Sequence, residues 1–235
     1  MTCKIPHHLA IIMDGNARWA RKHCKHSIDG YREGINTALT IIRHSRQMGI
    51  KYLTLFVFSL ENWGRPEHEV RCLMWLLRNF LDVDVKKILS EGIGISFVGD
   101  LSRLDQDIKN RISNIVNEPK NAQQDFQLRL AISYSARNEI LRSVLAFVEK
   151  YREYNFDSDI QRVEDKFIPL LNPSNIPEPD LLIRTSGESR LSNFLLWEIA
   201  YTELMFVDKL WPDFNVSDLN HALHAFSKRN RRFGK

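Results

Sequence analysis

The chain has 235 residues, of which 43% are hydrophobic and 26% are charged, a composition typical of a globular protein with one sizeable core. It carries 33 Lys and Arg against 29 Asp and Glu, and the resulting net charge of +4 favours an anionic partner. The longest apolar run, residues 53–60, is too short for a membrane-spanning helix, which needs about 20 apolar residues.

Six short runs of apolar or alternating residues predict β-strands, and segments with helical periodicity lie between them. The predicted strands are residues 8–13, 52–58, 94–98, 127–132, 181–183 and 204–207. The predicted helices are residues 34–48, 67–89, 104–116, 138–151, 194–200 and 217–231. This alternation, without an internal repeat or a linker, predicts a single α/β domain over residues 1–235, with a central, mostly parallel six-stranded sheet flanked by helices.

The cysteines and the first residues bear on the cellular compartment. Three widely spaced cysteines match neither a disulfide framework nor a zinc site, and the first residues lack the apolar stretch of a secretory signal. We therefore expect a cytoplasmic protein in a reducing compartment.

Polar segments follow three of the predicted strands, at residues 14–21, 59–66 and 184–193. Because the carboxyl ends of parallel strands lie along one edge, where open α/β folds bind ligands, we expect these segments to meet. They contain five arginines, whose planar guanidinium groups suit phosphate oxygens. These arginines are Arg18, Arg21, Arg65, Arg184 and Arg190.

The turn Asp14-Gly15-Asn16 leads into a helix, so its free backbone amides can face an anion. A carboxylate beside a phosphate site is unfavourable unless a cation lies between them, and Asp14 is therefore predicted to bind Mg²⁺ together with substrate phosphates. The segment taken alone favours an ordinary turn or helix-cap aspartate at Asp14; the arginines of the other two segments favour the metal role.

Apolar and amide side chains near the second strand predict a ligand cavity. Asn62 could fix a ligand without adding charge, whereas Trp63 and Trp19 also fit a purely packing role. Six residues could line an apolar tunnel, although each also fits the ordinary core. They are Phe56, Val57, Phe58, Leu73, Leu76 and Leu77.

Other functional signatures are absent or weak. Gly92-Ile93-Gly94 precedes a predicted strand and is not a dinucleotide fingerprint, and no Walker lysine motif occurs. The basic tail, residues 228–235, could touch nucleic acid, but such runs are nonspecific and usually solvated. We predict no nucleic-acid partner.

From residue 8 to residue 234 the chain resembles the cis-prenyltransferases, the undecaprenyl diphosphate synthase family of isoprenyl transferases. The resemblance rests on several motifs that occur in order. They are Met13-Asp14-Gly15-Asn16, Arg18-Trp19-Ala20, Glu61-Asn62-Trp63, Gly99-Asp100, Ile183-Arg184-Thr185, Ser192-Asn193-Phe194 and Leu210-Trp211-Pro212. The match implies a homodimer in which a hydrophobic tunnel holds the growing chain.

The resemblance also implies a reaction: isopentenyl diphosphate is added to an allylic diphosphate, such as farnesyl diphosphate, with each new double bond Z. The cofactor would be Mg²⁺, and the product would be a long polyprenyl diphosphate, undecaprenyl diphosphate, the carrier lipid for cell-envelope glycans. A hydrophobic product is compatible with a peripheral membrane contact, although no anchor segment occurs.

The resemblance assigns roles to single residues. Asp14 would hold Mg²⁺ and help the allylic diphosphate leave, Asn62 would act with Trp63 to orient the reacting ends, and Glu203 would help place the metal. Residues implied in substrate binding are Gly15, Asn16, Arg18, Trp19, Ser59, Trp63, Arg65, Arg184, Arg190 and Ser192. The terminal Arg232-Phe233-Gly234 would reach the partner subunit's site.

Several positions depart from the family pattern. They are Ser27, Tyr31, Leu60, Ser135, Ala136 and Ser189. Because these positions adjoin the implied site, they bear on rate, metal affinity and donor preference. Val57 stands where the family often has a smaller residue, which suggests a narrower tunnel and a shorter product.

Three other functions compete with this interpretation. A short-chain or branched isoprenoid diphosphate synthase would keep the fold and change the product. A noncatalytic subunit of a prenyltransferase complex is disfavoured, because Asp14, Asn62, Arg184 and Arg190 are all retained. A nucleic-acid-binding module is the weakest of the three.

Overall fold

The computed structural model describes residues 4–121, 124–154 and 159–229. Its strands are β1 His8–Ile12, β2 Tyr52–Ser59, β3 Gly94–Val98, β4 Gln127–Tyr134, β5 Leu181–Arg184 and β6 Glu203–Phe206. Its α-helices are α1 Asn16–Lys22, α2 Ser27–Gln47, α3 Glu67–Asn79, α4 Val85–Ser90, α5 Gln106–Val116, α6 Ala136–Lys150, α7 Ile160–Leu171 and α8 Val216–Ser227. No helix in these residues is long and apolar enough to cross a bilayer.

The six strands form one sheet in the order β3-β4-β2-β1-β5-β6, and every neighbouring pair is parallel. The predicted six-stranded α/β architecture is confirmed, and the sheet is wholly parallel. All five residues of β1 are buried, as expected for a central strand covered on both faces. Ile12 is paired with Phe56 on one side and with Arg184 on the other, so the ends of three strands are level.

Two hydrophobic cores cover the two faces of the sheet. On one face, α2, α3, α4, α5 and α8 pack on residues such as Leu9, Leu53 and Leu130. On the opposite face, α6 and the segment 194–199 pack on Ala10 and Ala131. After β1 the chain forms β2 on one side of β1, and it later forms β5 on the other side of β1. The crevice between β1 and β5 is therefore the topological switch point, where ligands of open α/β folds bind.

The helical predictions were less accurate than the strand predictions. The predicted helix 194–200 is wrong: the segment forms turns, because Ser192, Asn193 and Leu195 have φ angles of 49°, 62° and 47°, which an α-helix does not accept. The predicted helix 67–89 is interrupted by one turn of π-helix, Phe80–Asp84. Helix α7 was not predicted, and the predicted end of the last helix lies outside the described residues.

Candidate active site

A cavity of about 950 Å³ opens at the carboxyl edge of the sheet, between the strands and helices α2 and α3. Residues from all three polar segments line it, so the structure brings those segments together as predicted from the parallel topology. The polar lining, which we call the charged rim, consists of Asp14, Asn16, Arg18, Arg21, Ser59, Glu61, Asn62, Arg65, Arg184, Glu188, Arg190, Ser192 and Asn193.

The main-chain N–H and carbonyl groups of Asp14 are both held by hydrogen bonds. Its N–H donates to Thr185 Oγ1 at 3.0 Å, and the Thr185 hydroxyl donates back to the Asp14 carbonyl at 2.7 Å. The Trp211 N–H donates to the same carbonyl at 3.0 Å. Gly15 follows with φ of +111°, and a Cβ there would lie 2.9 Å from Leu210, so the turn requires glycine. The Asp14 carboxylate is thereby aimed into the cavity.

Two arginines surround the Asp14 carboxylate. Arg184 Nη2 donates to Oδ2 at 2.8 Å, and Arg18 Nη2 lies 3.3 Å from Oδ1. Partial burial by itself raises the pKa of Asp14, but the hydrogen bond and charge of Arg184 and the charge of Arg18 outweigh it, so the pKa lies below its usual 3.8. Asp14 is therefore ionised at neutral pH.

The third segment extends this charge network. Arg184 is only 3% exposed, and it donates to Ser192 Oγ at 2.7 Å and to the Arg190 carbonyl. Glu188 lies between two arginines: it accepts from Arg18 at 3.0 Å and pairs with Arg190. Three arginines thus face two carboxylates. The excess positive charge makes this part of the rim suited to anionic ligands.

The second segment contributes an amide and a further arginine. The Ser59 N–H donates to Asn62 Oδ1 at 3.1 Å, which fixes a short 3₁₀ helix, Leu60–Gly64, after β2. Arg65 Nη1 donates to the Tyr31 hydroxyl at 2.7 Å. Tyr31, one of the departures from the family pattern, therefore also lies at the cavity and orients an arginine of the charged rim.

The remainder of the cavity is apolar. All six residues predicted for an apolar tunnel line it, and so do Ala38, Ile42, Leu55 and Phe80. Val57 lies at a bulge where the pairing of β2 with β4 shifts between Phe56 and Phe58, and the residue is 39% exposed. Bulges often re-aim side chains beside binding sites. We call these apolar residues the apolar wall, which lines the same cavity as the charged rim.

Three predicted site residues lie away from the cavity. Trp19 is buried and donates from Nε1 to Asp213 Oδ1 at 2.7 Å, as the packing alternative anticipated. Trp63 donates to Ser133 Oγ at 2.9 Å. Glu203 is the first residue of β6, at the opposite end of that strand from the charged rim, and it accepts from Arg229 at 2.7 Å. In this chain none of the three lines the cavity.

Asn193 is a rim residue that the sequence did not single out. Its Nδ2 donates to Glu61 Oε1 at 2.8 Å and to Ser135 Oγ at 2.7 Å, and its Oδ1 accepts from the Arg137 N–H at 3.0 Å. One amide therefore joins the loop after β2 to the start of α6. The sequence feature that could have identified Asn193 as a site residue is its position at the end of the third polar segment, residues 184–193.

The rim fits a magnesium ion that is bound mainly through substrate oxygens. Asp14 offers an ionised, hard oxygen donor at the cavity surface, the ligand type that Mg²⁺ prefers. Within residues 4–121, 124–154 and 159–229, no three His, Cys, Asp or Glu side chains form a group that could hold a metal by themselves. Asp14 would therefore share the ion with a bound diphosphate.

Known proteins resemble this chain over nearly its whole length. The family model for undecaprenyl diphosphate synthase matches residues 12–234. An isoprenyl transferase from Aquifex pyrophilus is 45% identical over 100% of this chain and 98% of its own length. The ditrans,polycis-undecaprenyl-diphosphate synthase ((2E,6E)-farnesyl-diphosphate specific) of Haemophilus influenzae is 42% identical over 98% of this chain and 95% of its own. Lavandulyl diphosphate synthase from Lavandula x intermedia, in complex with dimethylallyl diphosphate, aligns with a TM-score of 0.89 and 37% identity over 98% and 99% of the two chains.

Proposed function

The chain belongs to the undecaprenyl diphosphate synthase family and is a prenyltransferase, and we propose that it extends farnesyl diphosphate with isopentenyl diphosphate to a long Z-polyprenyl diphosphate. The observation that carries the proposal is that the charged rim and the apolar wall line one cavity of about 950 Å³. This volume is at the upper end of the roughly 300–1,000 Å³ usual for ligand pockets. The farnesyl specificity printed for the Haemophilus influenzae relative supports the choice of donor.

The charged rim would stabilise the diphosphate as it leaves the allylic substrate. Negative charge grows on the departing oxygens, and Arg18 and Arg65 are already oriented by Glu188 and Tyr31 respectively, so little reorganisation is needed when that charge appears. A Mg²⁺ ion on Asp14 would add a Lewis acid at the same oxygens. Arg184 and Arg190, with Ser192, would hold the diphosphate of isopentenyl diphosphate on the other side of Asp14.

The apolar wall would receive the hydrocarbon chains. Ionisation of an allylic diphosphate leaves a carbocation-like fragment, which water would capture, and Leu55, Leu77 and Phe80 line the cavity with apolar surface that would limit the access of water. Asn62 lines the same cavity, its Oδ1 accepts from the Ser59 N–H, and its Nδ2 group would orient the reacting ends without adding charge. The new carbon–carbon bond would form between the charged rim and the apolar wall.

The product length is the decisive test. Purified protein incubated with Mg²⁺, labelled isopentenyl diphosphate and farnesyl diphosphate should yield long polyprenyl diphosphates, up to the undecaprenyl length that would serve as a glycan carrier lipid in the cell envelope. No incorporation with any allylic donor would reject the proposal.

A second candidate is a short-chain or branched isoprenoid diphosphate synthase. The likeness to lavandulyl diphosphate synthase and the position of Val57 in the cavity wall favour it. The same assay, run with dimethylallyl diphosphate as the only donor, separates the two: short or branched products would replace the first proposal with this one.

We further propose that the protein acts as a homodimer. Helix α6 carries exposed apolar side chains at positions 141, 144, 145 and 148, a spacing that places them on one side of the helix. Leu141 is 64% exposed and Leu145 is 70% exposed. We call this surface, Leu141, Val144, Leu145 and Val148, the α6 face, and a second copy of the chain would cover it.

A cytoplasmic location fits two exposed free thiols, Cys24 and Cys72, since free thiols persist in a reducing compartment. Contact with the membrane would be peripheral and would come through the hydrophobic product. Sedimentation of the protein with lipid vesicles, with and without product, would test that contact.

A further inference from the structure

A second cavity, of about 330 Å³, lies on the opposite face of the sheet from the first. It is bounded by the end of β3, by β4, by α6 and by the end of α7. Arg129 reaches it from β4, where side chains alternate between faces, so Arg129 shares the α6 side with Ala131. None of the functions assigned above uses this cavity.

Within the described part of the chain, Arg129 is a buried charge without a direct ion pair, although its charge acts on the buried carboxyls of Glu139 and Glu198 and favours their ionised forms. Its residue is only 3% exposed. Among the described residues its Nε has no hydrogen-bond partner, and no carboxylate oxygen lies within 4.0 Å of its guanidinium group. A guanidinium stays protonated in proteins, and burying it unpaired is costly. The adjoining cavity is the place where a compensating group can bind.

The other charged groups near the cavity compensate Arg129 only in part, because none of the carboxylate oxygens that the structure describes forms an ion pair with it. Asp100 forms an ion pair with Arg142 at 3.0 Å, so these two charges balance each other in the lining of the second cavity. Burial, with a contribution from the nearby Glu198, raises the pKa of Glu139 to about 7, and Glu139 accepts a hydrogen bond from the Tyr134 hydroxyl. Burial also raises the pKa of Glu198, while the charge of Arg129 opposes both shifts, so the surroundings of Arg129 keep an excess positive charge when both carboxyls are protonated.

The start of α6 does not explain the charge preference of this site. The Ala136 and Arg137 N–H groups both donate to Asn193, and the Asn138 N–H donates to Ser135 Oγ. These amides are already occupied and cannot bind a ligand. The guanidinium of Arg129 is the principal donor, with the side chains of Asn138 and Ser174 beside it in the lining.

We propose that the second cavity is a binding site for a small oxyanion, a carboxylate or a phosphate, whose oxygens complete the hydrogen bonding of Arg129. The guanidinium fork matches either group, and charge-assisted bonds of this kind are among the strong ones. The site is separate from the charged rim, so the proposal does not depend on the reaction assigned to the first cavity.

The test is calorimetric titration with inorganic phosphate and, separately, acetate. Phosphate would also bind the charged rim, so the protein used carries Arg18→Ala and Arg190→Ala, which weaken anion binding at that rim although Arg21, Arg65 and Arg184 remain. Adding Arg129→Gln to this protein should weaken the site in the second cavity about tenfold or more, the usual worth of a charge-assisted bond, and should leave any residual binding at the rim unchanged. A response to only one of the two anions identifies the chemical class.

Two further variants keep the test decisive if Arg129→Gln folds poorly. Arg142 is 56% exposed in its side chain, so Arg142→Ala should fold and weaken binding by a smaller factor. Glu139→Gln removes the opposing carboxylate and should strengthen binding above pH 7. No heat at millimolar anion, or binding that all three variants leave unchanged, would show that the cavity holds only water and would overturn the proposal.

Discussion

Asp14 Oδ2 lies 2.8 Å from Arg184 Nη2, and this contact joins the turn after β1 to the last residue of β5. The two strands are neighbours in the sheet although their residues are 170 positions apart. The contact holds Asp14 ionised and fixes its direction. It also places one acid between two arginines at the switch point of the sheet, where two anionic substrates would meet.

Replacing Asp14 should abolish turnover without unfolding the protein. Asp14→Asn keeps an oxygen that can accept from Arg184 but loses the charge that would bind Mg²⁺, and we expect a loss in kcat of about a hundredfold or more. Asp14→Ala should be at least as inactive. Circular dichroism serves as the folding control. Unchanged turnover of either variant in excess Mg²⁺ would contradict the metal role.

Adding a methyl group at Gly34 should disturb the turn after β1. A Cβ on Gly34 would lie 2.2 Å from Asn16 Oδ1 and 3.1 Å from Trp211, so Gly34→Ala must displace the Asn16 side chain. We expect a higher KM for the allylic substrate and a lower Tm. Gly64→Ala is the matched control, since a Cβ there meets nothing within 4 Å. Equal kinetics for the two variants would remove Asn16 from the binding site.

Removing two methyl groups at Val57 should lengthen the product. Val57 lies in the cavity wall at the bulge of β2, so Val57→Ala widens the apolar part of the cavity. Chromatography of the products, compared with those of Val116→Ala on α5, provides the measurement. An unchanged product distribution would mean that neighbouring side chains set the length.

Glu139→Gln should stabilise the protein at high pH. Because burial raises the pKa of Glu139 from 4.5 to about 7, the protonated carboxyl favours the folded state below pH 4.5, and that contribution is lost as the pH rises through 7. The amide stays neutral and can still accept from the Tyr134 hydroxyl. The Tm of the variant relative to wild type should therefore increase with pH across this range. Glu149→Gln, at an exposed position of the same helix, should show no such trend.

A charge on the α6 face should separate the proposed dimer. Leu145 is 70% exposed within one chain, so Leu145→Glu should fold normally and elute as a monomer in size-exclusion chromatography with light scattering. Val116→Glu, which is 51% exposed on α5, should leave the dimer intact. A monomeric wild type would overturn the proposed dimer, and a dimeric Leu145→Glu would mean that another surface forms it.

The strands and the meeting of the polar segments could be predicted because both follow from local pattern and parallel topology. Buried strands of a parallel sheet form continuous apolar runs, and their carboxyl ends necessarily share an edge. Asp14, Asn62 and Arg184 could be placed together on that basis without knowing a single distance.

The errors occurred where tertiary contacts override local pattern. Residues 194–200 have helical periodicity, but the preceding residue, Asn193, accepts hydrogen bonds from the Ala136 and Arg137 amides at the start of α6. Asn193 has a left-handed backbone conformation, which does not lead into an α-helix. Helix α2 begins seven residues earlier than predicted, because Asp29 accepts from the His26 N–H in a capping box that histidine does not signal. Trp63 packs against the core and donates to Ser133, seventy positions away, a contact that no local pattern indicates.

The three hydrogen bonds of the Asn193 side chain connect the loop after β2 to the start of α6, the helix whose α6 face is proposed to contact a second subunit. If that dimer forms, subunit association and the shape of the cavity entrance would be mechanically linked. A displacement of α6 would be transmitted through the Asn193 amide to Glu61 and would change the shape of the cavity entrance where the ligands bind.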